Sequence, residues 1–202
     1  MSACIWAILV VLGGLFVCKL FYVFATAGAL PLTQGALFTS TASLRIESFL
    51  DAVPMNHEEL LVDLGCGDGR VLREARRRYG VKAMGFEVNT LAYLVARVLS
   101  FRMKGVDIRW KDFWSVSLED ADVVFCYLFP DVMKRLAAKL EAELRHGARV
   151  VSCNFSVPGW SPMAAIRPES ACHSDPIYVY RIPDSCPCHE MNHSNFAPSS
   201  TN

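Results

Sequence analysis

The sequence predicts a doubly wound α/β domain carried behind one apolar N-terminal helix. Three observations predict it. From residue 43 onward, short apolar runs alternate with segments of helical period. The first of these runs, Leu60-Leu61-Val62-Asp63-Leu64, passes into Gly65-Cys66-Gly67-Asp68-Gly69-Arg70, which reads as strand, tight loop and helix start. Between Ala3 and Leu32 the only charged side chain is Lys19.

Composition narrows the function classes. With 52% hydrophobic residues and a mean hydropathy of +0.27, the 202-residue chain is more apolar than an ordinary soluble domain, so a membrane segment is expected. Lysine plus arginine equals aspartate plus glutamate, 20 each, and this balance lacks the basic excess of a nucleic-acid footprint. Of eight cysteines, Cys4, Cys18, Cys66, Cys126, Cys153 and Cys172 stand singly in apolar or strand-like contexts, where a thiol acts as a small hydrophobe. Reduced thiols in a cytosol-like compartment are the expectation.

Residues 1–30 are read as a single transmembrane anchor, because the uncharged run exceeds the roughly 20 apolar residues that cross a bilayer. Its end lies either near Lys19, which would snorkel with Phe21, Tyr22 and Phe24 at headgroup level, or near Gly28. A cleaved signal peptide competes through Ala25-Thr26-Ala27, but no Lys or Arg precedes the run and the run outlasts the usual h-region of about 7–15 residues. Basic residues only on the C-terminal side favour a cytosolic domain, at a bacterial inner membrane or a mitochondrial inner membrane. Residues 31–42, rich in Pro, Gly, Ser and Thr, form a joint; 43–183 form the α/β domain; 184–202 form a disordered tail.

Within the domain, Ser43 to Val53 is a helix stopped by Pro54, either packed over the ligand site or simply a surface helix. Val71 to Tyr79 is a basic helix whose arginines form a solvated face or touch anionic lipid. Val81 to Phe86 is the second strand. Thr90 to Met103 is a helix with Leu91, Leu94, Val95, Val98 and Leu99 on one side, ended by Gly105. Val106 to Trp110 is the third strand, and Asp122 to Leu128 a central strand apolar on both faces. Asp131 is expected to cap a helix over Val132 to His146, stopped by Gly147. Ala148 to Phe155 and Ile177 to Ile182 are strands, with one more around Ala164 to Cys172. In the tail, Cys186, Cys188, His189 and His193 have metal-ligand chemistry, but one residue between the cysteines is too few for a zinc pair, so no metal is expected.

The glycine loop decides the ligand. Gly65, Gly67 and Gly69 allow positive φ and close approach to backbone N–H groups ahead of a helix N-terminus. The dinucleotide fingerprint needs its third glycine one residue later, and Asp63 and Asp68, opposed only by Arg70, repel a diphosphate. The Asp-x-Gly-x-Gly-x-Gly pattern resembles motif I of the class I S-adenosylmethionine methyltransferases, whose cofactor is a sulfonium with an amino-acid end and no phosphate. Eighteen residues past Gly69, Glu87 stands where such folds place an acid for both ribose hydroxyls, followed by Asn89. Asp112 follows the third strand, either as an acceptor for the adenine amine with Phe113 or Trp114 against the ring, or as a loop acid in a turn.

Further motifs extend the resemblance: Asp112-Phe113-Trp114-Ser115-Val116-Ser117-Leu118, Tyr127-Leu128-Phe129-Pro130, and Pro158-x-Trp160-x-Pro162. From the joint to the last strand the chain looks like the small membrane-anchored seven-β-strand protein-lysine methyltransferases and their bacterial relatives. Their mitochondrial members methylate lysines of the adenine nucleotide translocase and of the ATP synthase c-subunit. The resemblance implies a Rossmann-like seven-β-strand sheet and S-adenosyl-L-methionine held by Asp63, Gly65, Cys66, Gly67, Asp68, Gly69, Glu87, Asn89, Asp112 and Phe113. It also implies a membrane-protein lysine as substrate, with Tyr127, Phe129 and Trp160 as an aromatic channel. The Asn/Asp-Pro-Pro-Tyr motif of other amine methyltransferases is absent, so no catalytic asparagine carries over. Methylation of a small membrane molecule and a non-catalytic cofactor-binding module stay open beside this reading.

Overall fold

A computed structural model describes residues 2–29, 43–168 and 175–183 of the chain. The joint, the tail with its cysteines and histidines, and part of the strand expected at 164–172 lie outside the described residues. Helix α1 (Ser2–Ala29) precedes α2 (Ser43–Ala52), β1 (Leu60–Leu64), α3 (Arg70–Tyr79), β2 (Lys82–Glu87), α4 (Thr90–Ser100) and β3 (Val106–Trp110). There follow β4 (Val123–Cys126), α5 (Pro130–Glu143), β5 (Arg149–Cys153), β6 (Ala164–Ile166) and β7 (Ile177–Arg181).

Seven strands form one sheet in the order β3-β2-β1-β4-β5-β7-β6, parallel except for β7, which runs antiparallel to β5 and β6. The order reverses between β1 and β4, and ligands of open α/β sheets sit at the strand carboxyl ends beside such a reversal. β4 is buried at every position, as a central strand covered on both faces must be. Two cores result. One joins α2 and α3 to the sheet through residues such as Phe49, Leu50, Leu72 and Phe125. The other packs α5 through Met133, Leu136 and Leu140 against the opposite face.

Three expectations are corrected. Helix α5 starts at Pro130 with Phe129 as its cap residue and no side-chain cap, so Asp131 is a first-turn acid; proline fits that first position because its missing N–H would be unpaired there. α4 ends at Ser100, before Gly105, whose φ of 91° serves the turn into β3. The third correction concerns the faces of α4. Ala92, Ala96 and Ser100 face inward, while Leu94, Val95, Val98 and Leu99 are exposed.

α1 is helical over 28 residues and touches α4. Among the described residues no helix is long and apolar enough to cross a membrane. Cys66, Cys126 and Cys153 are buried free thiols, and burial pushes the Cys126 thiol up to about 12. They fill space and stay protonated.

Candidate active site

β1 ends in a loop whose three glycines all take left-handed φ, 83°, 56° and 76° at Gly65, Gly67 and Gly69. A side chain at Gly69 would also meet Ile108 and Ala96 at 3.3 and 3.4 Å. The loop is held by its own amides. The N–H groups of Gly65 and Cys66 donate to the Phe86 carbonyl at 2.9 and 3.0 Å, Gly69 donates to the Cys66 carbonyl, and Arg70 donates to Asp68. Gly67 donates to Glu87 Oε2 at 2.9 Å.

The expectation of free loop N–H groups facing a ligand is therefore corrected, since these five donors are spent inside the protein. What the loop can present instead are carbonyl oxygens and neighbouring carboxylates.

Those carboxylates are concentrated and buried. Asp63, 3% exposed, is pushed well above the usual carboxylate range, first by burial and then by Glu87 and Asp68. Glu87, 8% exposed, is also raised by burial, against hydrogen bonds from the Asn89, Gly67 and Val88 amides. Its Oε1 accepts from Asn89 N–H at 2.8 Å. Each Glu87 oxygen keeps lone-pair capacity after one such bond. Burial works to raise Asp68, but its hydrogen bonds and ion pair with Arg70 outweigh it and hold the acid below the ordinary range. Two buried acids without a neutralising cation fit a ligand that brings its own positive charge.

The remaining sequence candidates divide. Asn89 caps α4, its side chain accepting from the Leu91 and Ala92 amides, so it orders the helix while its own N–H steadies Glu87. Cys66 turns its sulfur into the core, where a side chain at Gly85 would meet it at 2.7 Å. Only its backbone belongs to the loop surface. Asp112 Oδ1 accepts from Trp114 N–H and caps the short 3-10 turn Phe113–Ser115 at the β3 end. Phe113 is half-buried against Trp114, ring centroids 4.8 Å apart. Tyr127 and Phe129 follow β4, with Phe129 37% exposed and 6.5 Å from the Phe155 ring.

Trp160 is not brought to them, which corrects the three-residue channel. It is 6% exposed, donates from Nε1 to Glu141 Oε1 at 2.6 Å and meets Tyr180 edge-on. It belongs to the core beneath α5, whereas Tyr127 packs on the opposite face of the sheet. The loop after β5 carries Trp160 under α5, where Glu141 and Tyr180 hold it.

Two residues carry no obvious mark in the sequence. Arg45 of α2 is 3% exposed, lies 5.1 Å over the Tyr127 ring and pairs with Asp175 at 2.8 Å. Its phase one turn before Phe49 on the buried side of α2 is the available signal. Asn154, just past β5, holds φ at 74° while its N–H donates to the Pro176 carbonyl. A non-glycine residue in that region at a strand's carboxyl end marks backbone strain beside the site, and nothing in its sequence neighbours announces it.

With this geometry in view, similarity to known proteins assigns the chemistry. Residues 63–164, half of the chain, match the family described as the ANTKMT methyltransferase domain. A protein-lysine N-methyltransferase of Saccharolobus islandicus (strain REY15A) is 32% identical over 150 residues, 72% of this chain and 92% of that protein. The adenine nucleotide translocase lysine N-methyltransferase of Mus musculus is 34% identical over 160 residues, 78% of this chain and 68% of its own length. The lysine N-methyltransferase of the ATP synthase c-subunit from Rattus norvegicus is 38% identical over 106 residues, and the match spans 50% of this chain and only 48% of that protein.

Among solved structures, an RNA methyltransferase of Salinibacter ruber in complex with S-adenosyl-L-homocysteine superposes with a TM-score of 0.68 at 28% identity, covering 74% of this chain and 97% of that one. The acceptor-lined loop at the β1/β4 reversal, the seven-strand order and these matches together place the chain in the ANTKMT methyltransferase domain family, as a class I methyltransferase that uses S-adenosyl-L-methionine.

Proposed function

We propose that this methyltransferase N-methylates a lysine of a protein held at a membrane face, on the cytosolic side of a bacterial inner membrane or at a mitochondrial inner membrane. The observation that carries the chemistry is the pair of buried acids, Asp63 and Glu87, beside a loop with five amides already spent, those of Gly65, Cys66, Gly67, Gly69 and Arg70. Such a lining accepts hydrogen bonds and positive charge and offers little to phosphate. The lysine is supported by the relatives, two of them named for lysine methylation of the adenine nucleotide translocase and of the ATP synthase c-subunit.

When bound, S-adenosyl-L-methionine supplies an electrophilic methyl group on a sulfonium. Glu87 would take the ribose hydroxyls, Asp63 and the loop carbonyls the amine, Asp112 and Phe113 the adenine. Tyr127 and Phe129, at the end of β4, would strip water from the incoming lysine stem and face its charge with ring π-density. Desolvation lowers the amine pKa from about 10.4, so the nucleophile reaches the site neutral. Arg45 holds the Tyr127 ring in place. The attacking lysine nitrogen would take the methyl group and give its surplus proton to water.

The anchor is supported by the sequence, in which Lys19 is the single charge between Ala3 and Leu32, a run longer than the roughly 20 apolar residues that cross a bilayer. Membranes from a strain lacking the protein, incubated with the purified full chain and tritiated cofactor, test the proposal. The expected result is label on a lysine, mapped by mass spectrometry, in a protein that pellets with the membrane. Label extracted into organic solvent would instead identify a quinone or lipid headgroup as acceptor, and binding with no label anywhere would leave a non-catalytic module.

A further inference from the structure

α4 is inverted for a helix that covers a sheet. Its small residues Ala92, Ala96 and Ser100 face inward, and its bulky apolar residues face out: Leu94 50%, Val95 48%, Val98 74% and Leu99 52% exposed, with Phe101 just past the helix at 84%. Trp110, on the adjoining edge strand β3, is 62% exposed. Outside α1, nine large apolar side chains of the described residues are exposed, and these are six of them. The concentration on one flank distinguishes them from the singly exposed apolar residues of any surface.

Two further features say what covers this flank. Arg97, Arg102 and Lys104 are exposed on α4 and in the turn after it, so cationic heads stand beside the apolar face. A helical surface that joins large apolar groups to lysine and arginine suits the headgroup and acyl boundary of an anionic bilayer. In addition α1, the most apolar segment of the chain, touches α4. Wherever α1 enters lipid, α4 is carried to the surface.

We propose that the outer face of α4, with Phe101 and Trp110, is a second membrane contact that lies in the interface of the bilayer that α1 enters. This rests on the anchor reading above. It has a consequence for the enzyme: α4 returns antiparallel to β2 and β3, so a flank lying flat on lipid keeps the strands along the membrane plane. The active site at their carboxyl ends then opens sideways at a fixed height, toward lysines that project from neighbouring membrane proteins.

The test uses the full chain in phosphatidylcholine/phosphatidylglycerol vesicles that contain a lipid with a diazirine near the headgroup. After illumination, labelled peptides are mapped by mass spectrometry. Lipid adducts are expected on α1 and on the peptide spanning residues 94–101, with none on α5. The double variant Val98→Glu/Phe101→Glu should lose the α4 adducts and keep those on α1, with cofactor binding unchanged as proof of folding. Adducts on α1 alone in the wild type would overturn the second contact and leave the anchor standing. Adducts on neither would overturn both. Cross-links from α4 to another copy of the chain, in place of lipid, would assign the face to self-association and also overturn the proposal.

Discussion

Replacing Glu87 by glutamine tests the ribose contact with less damage to the loop than replacing it by alanine. In the folded chain Oε2 accepts from Gly67 N–H at 2.9 Å and Oε1 from Asn89 N–H at 2.8 Å. Alanine would strand both buried donors, at about 1–3 kcal/mol each, or roughly 2–6 kcal/mol of stability, and lost binding would then be confounded with a collapsed loop. Glutamine keeps the shape and one acceptor, so one of the two buried amides faces its NH2 group at about 1–3 kcal/mol, offset in part by removing a charge that burial already disfavours. Its effect on the cofactor is larger. Two ribose hydroxyls that donated to a carboxylate lose bonds worth about 1.5–3 kcal/mol each, so affinity should fall roughly 10²- to 10⁴-fold. Titration calorimetry with S-adenosyl-L-methionine measures that ratio, and thermal unfolding of the free variant checks the fold. Wild-type affinity in a Glu87→Gln protein that still unfolds cooperatively would refute the assignment of this acid to the ribose.

Binding should depend on pH through the two raised carboxyls. Because the folded pKa values of Asp63 and Glu87 lie above their unfolded ones, the free enzyme holds extra protons from about pH 4 upward; it loses stability as pH rises toward the raised values, and a cationic ligand expels those protons. Cofactor affinity should therefore increase with pH across that window, with proton release seen by calorimetry in buffers of different ionisation heat; a pH-independent affinity would contradict it. Gly85→Ala puts a methyl 2.5 Å from Leu72 Cδ1 and 2.7 Å from Cys66 Sγ, an overpacking cost of about 1–3 kcal/mol that should appear as a lower melting temperature. Trp160→Phe removes the bond to Glu141 and should cost about 1.5–3 kcal/mol of stability with KM for cofactor and protein substrate unchanged. A fall in kcat without any loss of stability would return Trp160 to the substrate path.

Much of the site is legible in the chain because its signals are local. Left-handed glycines must be glycines, so Gly65, Gly67 and Gly69 announce the loop wherever the sheet ends, and all three take that conformation. The run from Asp122 to Leu128 contains β4, buried at all four of its positions, because a strand covered on both faces must be apolar throughout. What no local pattern carries is which partner a group finds. The loop amides look available in the sequence, yet the Phe86 carbonyl and Glu87, from the next strand, consume those of Gly65, Cys66 and Gly67. Trp160 sits in a motif with an aromatic look, yet Glu141 of α5 and Tyr180 of β7 claim it.

The apolar period of α4 is likewise visible, but its direction is not. A 3.6-residue repeat says that a helix has two faces, and only the close approach of β2 and β3 selects the small residues Ala92, Ala96 and Ser100 for the inside and sends Leu94, Val98 and Phe101 out. Sequence alone determined the α/β alternation, the glycine bend and the acids at the strand tips, since backbone sterics and charge act within a few residues. Tertiary structure alone decided which donors are spent, which face of α4 is left bare and how Arg45 comes to lie over Tyr127. Those outcomes depend on contacts between segments far apart in the chain, which no window of sequence contains.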